Sequence, residues 1–111
     1  MSGFVVDGVE IAVDQEGYLQ NLHDWNEPVA QALAEAEGIE LQAEHWEVLW
    51  LLRAFYQEFQ LAPATRPLIK YAALKLGPDK GNSPHLNRLF KGTPAKLAAK
   101  LAGLPKPSNC I

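Results

Sequence analysis

A chain of 111 residues, 48% hydrophobic and 21% charged, has enough apolar material for one core and lies outside disordered compositions. Its formal net charge of -3 and pI near 5.5 argue against a general nucleic-acid binder, which shows a basic domain or stripe. No apolar run approaches the ~20 residues that span a bilayer, and Met1-Ser2-Gly3-Phe4 lacks the basic and apolar regions of a secretory signal. With one Cys, Cys110, no intramolecular disulfide can form, which fits a reducing compartment. The expectation is a cytoplasmic, single-domain protein with no direct membrane contact.

In chain order, Phe4-Val5-Val6 and Val9-Glu10-Ile11-Ala12-Val13 flank Asp7-Gly8, a turn pair that tolerates positive φ. This predicts a hairpin over 4–13 with Val9, Ile11 and Val13 on the buried face. A lone hairpin is marginal in water, so it must pack on helices. The first helix is expected over 26–37. Asn26 caps it, Glu27 and Pro28 suit its first turn, Val29, Leu33 and Ala36 form its stripe, and Gly38 ends it. A second helix over 43–59 carries Trp46, Leu49, Trp50, Leu52, Phe55, Tyr56 and Phe59, apolar around more than half its circumference, as in a helix enclosed by others. A third runs over 65–76 and is closed by Gly77-Pro78. Ser83-Pro84 and Thr93-Pro94 open two more, over 84–90 and 94–102, with Gly103 as the stop.

Pro105 and Pro107 keep the tail, residues 104–111, out of a helix and bias it toward an extended course. From Gly103 to Cys110 such an arm reaches ~25 Å at full extension. A thiol on an arm suits sulfur transfer, in which a thiolate attacks a persulfide and must then visit an acceptor. Lys106 favours the thiolate, whereas the terminal carboxylate of Ile111 opposes it. A stray cysteine in a frayed end is the competing reading, and position alone leaves both open.

The ending Ala-Gly-Leu-Pro-Lys-Pro-Ser-Asn-Cys-Ile, residues 102–111, resembles the C-terminal signature of the DsrC/TusE sulfur-carrier family. Glu16-Gly17-Tyr18-Leu19, Trp25-Asn26, Glu37-Gly38-Ile39, Glu44-His45-Trp46-Glu47, Leu76-Gly77-Pro78 and Lys80-Gly81-Asn82-Ser83 extend the likeness along the chain, as do Phe55-Tyr56, Leu89-Phe90 and Pro94-Ala95-Lys96. The resemblance implies an α+β, mostly α fold: an N-terminal β-hairpin on a bundle of about five helices, with a helix-turn-helix-like unit and an extended C-terminal tail. It makes Cys110 the sulfur carrier. Gly103 becomes the hinge of a mobile arm, and Pro105, Lys106 and Pro107 present its tip. DsrC proper has a second Cys eleven residues before the penultimate one. Here that position is Ala99, so the pattern is similar to the single-cysteine TusE branch. For that branch the resemblance implies a sulfurtransferase that takes persulfide sulfur from a donor like the TusBCD complex. It hands the sulfur to an acceptor like the tRNA 2-thiouridylase MnmA, without a cofactor.

Two alternatives remain at this level. One is a DsrC-like protein of dissimilatory sulfur metabolism. The other is a DNA-binding regulator built on the segments 65–76 and 83–90, whose surface would carry Lys70, Lys75, Lys80, Arg88 and Lys91. The acidic balance favours another use of Arg66 and Lys70, as contacts for an anion or an acidic partner. His45 fits no His-Glu-x-x-His spacing and reads as a packed helix residue. Trp46, Trp50, Phe55 and Phe59 read as core rather than a base-stacking platform.

Overall fold

Asp7 and Gly8 both take positive φ, 51° and 79°, and close an antiparallel pair, β1 (Ser2–Val6) and β2 (Val9–Val13), with Phe4 opposite Ile11. The computed structural model describes residues 2–107. The expectations about Cys110 and its neighbours at 108–111 lie outside them. Ile11 and Val13 are buried, but Val9 is 57% exposed at the hairpin tip, where no helix covers it. The expected buried face of β2 is therefore shorter by one residue. After β2 the chain turns on Asp14, whose carboxylate accepts the Glu16 and Tyr18 amides, and Leu19 returns to bridge Val13. A short 3-10 helix, Leu22–Asp24, follows under the Asn21 side chain, which accepts the His23 amide.

Among the described residues five helices follow: α1 (Glu27–Ala36), α2 (Ala43–Phe59), α3 (Thr65–Leu76), α4 (Ser83–Leu89) and α5 (Pro94–Leu101). Asn26 caps α1 through the Val29 amide, as its chemistry predicts. The buried stripe of α1 is Val29, Ala30, Leu33 and Ala34, with Ala36 exposed instead. At α4 the cap is Asn82, which accepts the His85 amide, rather than Ser83. Two competent cap residues stand side by side there, and the turn after Gly77 brings the Asn amide into range of the Pro78 and Asp79 carbonyls as well. α3, the loop 77–82 and α4 make up the helix-turn-helix-like unit.

α5 is the centre of the bundle and packs against each of the other four helices. Ala95, Ala98, Ala99 and Ala102, all buried, keep its girth small enough for that. Val48, Leu49 and Leu52 of α2 and Val29 of α1 fill the space around it. α2 is not enclosed, contrary to its composition: Trp50 is 48% and Phe59 47% exposed. Its buried face is His45, Val48, Leu49, Leu51, Leu52 and Phe55.

His45 is the polar member of that face. Its Nδ1 accepts the Gln42 amide at 3.0 Å and its Nε2 meets the Leu89 carbonyl at 3.0 Å, so the ring is a neutral Nε2–H tautomer with both nitrogens engaged. It ties the start of α2 to the end of α4 and packs edge-on against Phe90. Replacing it strands a buried carbonyl and uncaps α2. His45→Ala is expected to lower unfolding free energy by about 2–3 kcal/mol, read from urea denaturation midpoints. A loss below about 1 kcal/mol would show that the ring is not a structural tie.

Candidate functional site: the root of the C-terminal tail

The last turn of α5 leaves carbonyls without helical partners, and each that matters here is met by a named donor. The Gly103 amide bonds the Lys100 carbonyl at 3.1 Å, and the Leu104 amide bonds the Ala99 carbonyl at 2.9 Å. This pair is the Schellman closure, which needs a left-handed residue at the first position past the cap. Gly103 supplies it with φ +72°. The Leu104 side chain is 1% exposed and belongs to the same apolar core as Ala99.

Two side chains from elsewhere finish the end of α5. The Trp25 indole N–H donates to the Leu101 carbonyl at 2.8 Å, and the Arg53 guanidinium donates to the Ala102 carbonyl at 2.7 Å. Arg53 also lies 4.3 Å above the Trp25 ring, which stands edge-on to Trp50 at 5.0 Å. A cation at the negative end of a helix is favoured by the dipole, and the half-buried setting strengthens it. Burial pushes the Arg53 pKa below its ordinary value, but guanidinium remains protonated in proteins.

Gly103 is therefore built into the bundle. A Cβ placed on it would lie 2.5 Å from Trp25 Cδ1, far inside contact distance. The residue expected as the hinge is thus packed against Trp25, and Leu104 beyond it is buried. Pro105 and Lys106 are exposed and Pro107 is buried. Lys106 reaches both carboxylate oxygens of Glu16, at 2.8 and 3.1 Å, tying the tail to the turn after β2. Arg66 and Lys70 lie on the exposed side of α3, and no described hydrogen bond or ion pair joins them to the tail.

A solvent-open groove of about 590 Å³ adjoins the root, with Leu104, Arg53, Trp50 and Tyr56 in its wall. Arg53 and Trp25 carry the geometry of the root, yet sequence reasoning gave them no role in it. The signal for Arg53 was available, since it is the sole Lys or Arg in the apolar α2. Among the described residues no cluster of His, Cys, Asp and Glu could hold a metal, and no helix is long and apolar enough to cross a membrane.

The model of the family described as DsrC-like protein matches residues 5–111. The chain belongs to the DsrC-like family. It is 53% identical over 107 residues to sulfurtransferase TusE of Escherichia coli, covering 96% of this chain and 98% of that one. The TusE homolog of Haemophilus influenzae is 52% identical over 106 residues, 96% and 97% of the two chains. The solution structure of Allochromatium vinosum DsrC superposes with a TM-score of 0.90 at 50% identity, over 98% and 97% of the chains. The oxidized γ-subunit of the dissimilatory sulfite reductase from Archaeoglobus fulgidus does so at 0.86 and 36% identity, over 99% and 100%. The hairpin-plus-five-helix architecture is that of the DsrC-like structures. Sulfur transfer is the activity class of this DsrC-like chain.

The root geometry predicts strong coupling between Gly103 and Trp25. Gly103→Ala is expected to cost about 2–4 kcal/mol of stability, from overpacking plus a left-handed alanine. In a Trp25→Ala background the same change is expected to cost only about 1 kcal/mol, since the φ penalty alone remains. A double-mutant cycle of denaturation midpoints checks this. Additive costs would contradict the packed corner.

Proposed function

We propose that Cys110 is the sulfur carrier of this sulfurtransferase, accepting persulfide sulfur and relaying it for 2-thiolation of the wobble uridine in tRNA. The observation that carries the reading is the likeness, over nearly the whole chain and through its final residues, to relatives named sulfurtransferase TusE. The donor would resemble the TusBCD complex and the acceptor the 2-thiouridylase MnmA, with the exchange taking place in the cytoplasm, where a lone thiol stays reduced.

The chemistry is two thiol exchanges. The Cys110 thiolate attacks the outer, sulfane sulfur of a donor persulfide. The donor's S–S bond breaks as the S–S bond on Cys110 forms, and the donor thiolate leaves with the electron pair and takes up a proton. The acceptor thiolate then attacks the sulfane sulfur on Cys110, which returns as a thiolate. Neither step has a net oxidant or reductant, so the protein needs no cofactor for the transfer.

The fixed root supports this division of labour. Cys110 stands three residues past Pro107, a reach of ~10–11 Å at full extension from that point. The closure of α5 at Gly103 and Leu104 supports an arm that starts beyond it, so that only the last few residues need enter a partner. Ala99 stands at the position where the resemblance puts a second cysteine, and it is fully buried in α5. Each exchange of Cys110 therefore has to be completed with a partner's sulfur, which separates this chain from the two-cysteine chemistry of the dissimilatory branch.

Incubation with glutathione persulfide followed by intact-mass measurement is expected to add one sulfur atom to the wild-type chain and none to Cys110→Ser. In cells lacking the native gene, Cys110→Ser is expected to leave tRNA without 2-thiouridine, whereas wild type restores it. Equal mass gain in Cys110→Ser, or restored thiolation by it, would overturn the assignment.

A further inference from the structure

The exposed side of α3 carries a cationic face with no acidic residue on the helix to balance it. Arg66, Lys70 and Leu74 recur one turn apart, and Lys75 lies 5.6 Å from the Tyr71 ring beside them. No described hydrogen bond or ion pair reaches the side chains of Arg66 or Lys70. Several cations elsewhere are engaged, Arg53 with the Ala102 carbonyl, Lys80 with Glu47, Arg88 with Glu44, and Lys100 with Glu37. Arg66 also sits in the first turn of α3, where the helix dipole disfavours a cation, beneath an N-terminus with no side-chain cap. Local stability gives no reason for this arrangement.

Apolar side chains lie among these charges. Leu74 is 77% exposed, Leu61 49% and Phe59 47%, and Phe59 stands 6.4 Å from Tyr71. The band also leads to the tail. Thr65, next to Arg66, shares one groove with Lys96; Lys96 shares the next with Lys100 and Glu16; and Glu16 holds Lys106.

We infer that the α3 face, Arg66, Lys70 and Leu74 with Phe59, is the docking surface for an acidic partner protein with an apolar centre, and that this partner is the persulfide donor. The assignment to the donor rests on the relay reading above. An acceptor that modifies tRNA must present cationic surface to the polyanion, and that surface would repel α3. A donor that handles no nucleic acid is free of that constraint. Nucleic acid fits the face poorly, because exposed Leu74, Leu61 and Phe59 would be left against phosphates and the chain's net charge is -3. An isologous contact with a second copy would set Arg66 and Lys70 against themselves.

The test measures association of the purified cognate donor complex by biolayer interferometry, with every protein carrying Cys110→Ser so that no disulfide contributes. Reversing both charges, Arg66→Glu with Lys70→Glu, is expected to slow association about tenfold at low salt and flatten its salt dependence. Leu74→Ser is expected to speed dissociation about tenfold with association little changed. Both changes are on exposed positions, and matching thermal melts confirm folded proteins. Donor binding within twofold of the parent in both variants would overturn the proposal. So would no binding of the parent, or charge reversal that abolishes binding of a tRNA probe while donor binding persists. Sulfur uptake by the Cys110 protein from glutathione persulfide needs no docking, so its failure would count against the relay alone and its success leaves the interferometry to decide the surface.

Discussion

The end of α5 is the constraint on which the useful geometry depends. Its carbonyls are closed by the Gly103 and Leu104 amides, by the Trp25 indole and by the Arg53 guanidinium. These donors come from three parts of the chain, so hairpin-side, α2 and tail segments meet at one point. Burying helix-end carbonyls without such partners would cost more than any single packing contact there returns. Gly103 is required because only a residue without Cβ fits against Trp25 in the left-handed conformation. The corner thus sets the direction of the tail with the same atoms that stabilise the most central helix.

That arrangement separates structure from chemistry. The polar His45 of the core has both ring nitrogens committed within the bundle. In the proposed relay the reacting thiol lies beyond the root, and transfer would depend on which partner the body holds. In that relay affinity and chemistry could be tuned independently, with charges on α3 governing encounter and the thiol governing exchange. A fixed root also reduces the volume an arm must search, which raises the effective concentration of its tip at a docked partner's site.

Much of the fold was legible because its boundaries rest on local chemistry. Asp7-Gly8 gave the hairpin, Asn26-Glu27-Pro28 the start of α1, and Thr93-Pro94 the start of α5. The failures were of two kinds. Periodicity shows that α2 is apolar on several faces, but not which face the bundle leaves bare, so Trp50 and Phe59 looked internal. Asn82 and Ser83 are both competent caps, and only the turn geometry selects between them. At the site, a glycine before a Pro-rich tail looks like a pivot until Trp25, distant in sequence, is seen to fill the space around it. Arg53 was visible as a lone cation on an apolar helix, but its carbonyl partner on α5 is a tertiary fact.

The most direct test of this account is amide hydrogen exchange at Leu104 in the full-length protein. The bond from its amide to the Ala99 carbonyl belongs to the closure of α5, and the side chain is buried. Exchange of Leu104 is therefore predicted to be slowed to the same extent as the amides of Ala98 and Leu101 inside α5, and to accelerate with them in Trp25→Ala. Exchange at the rate of an unstructured peptide, with α5 still protected, would show that the tail starts free at Gly103 and would contradict the fixed root.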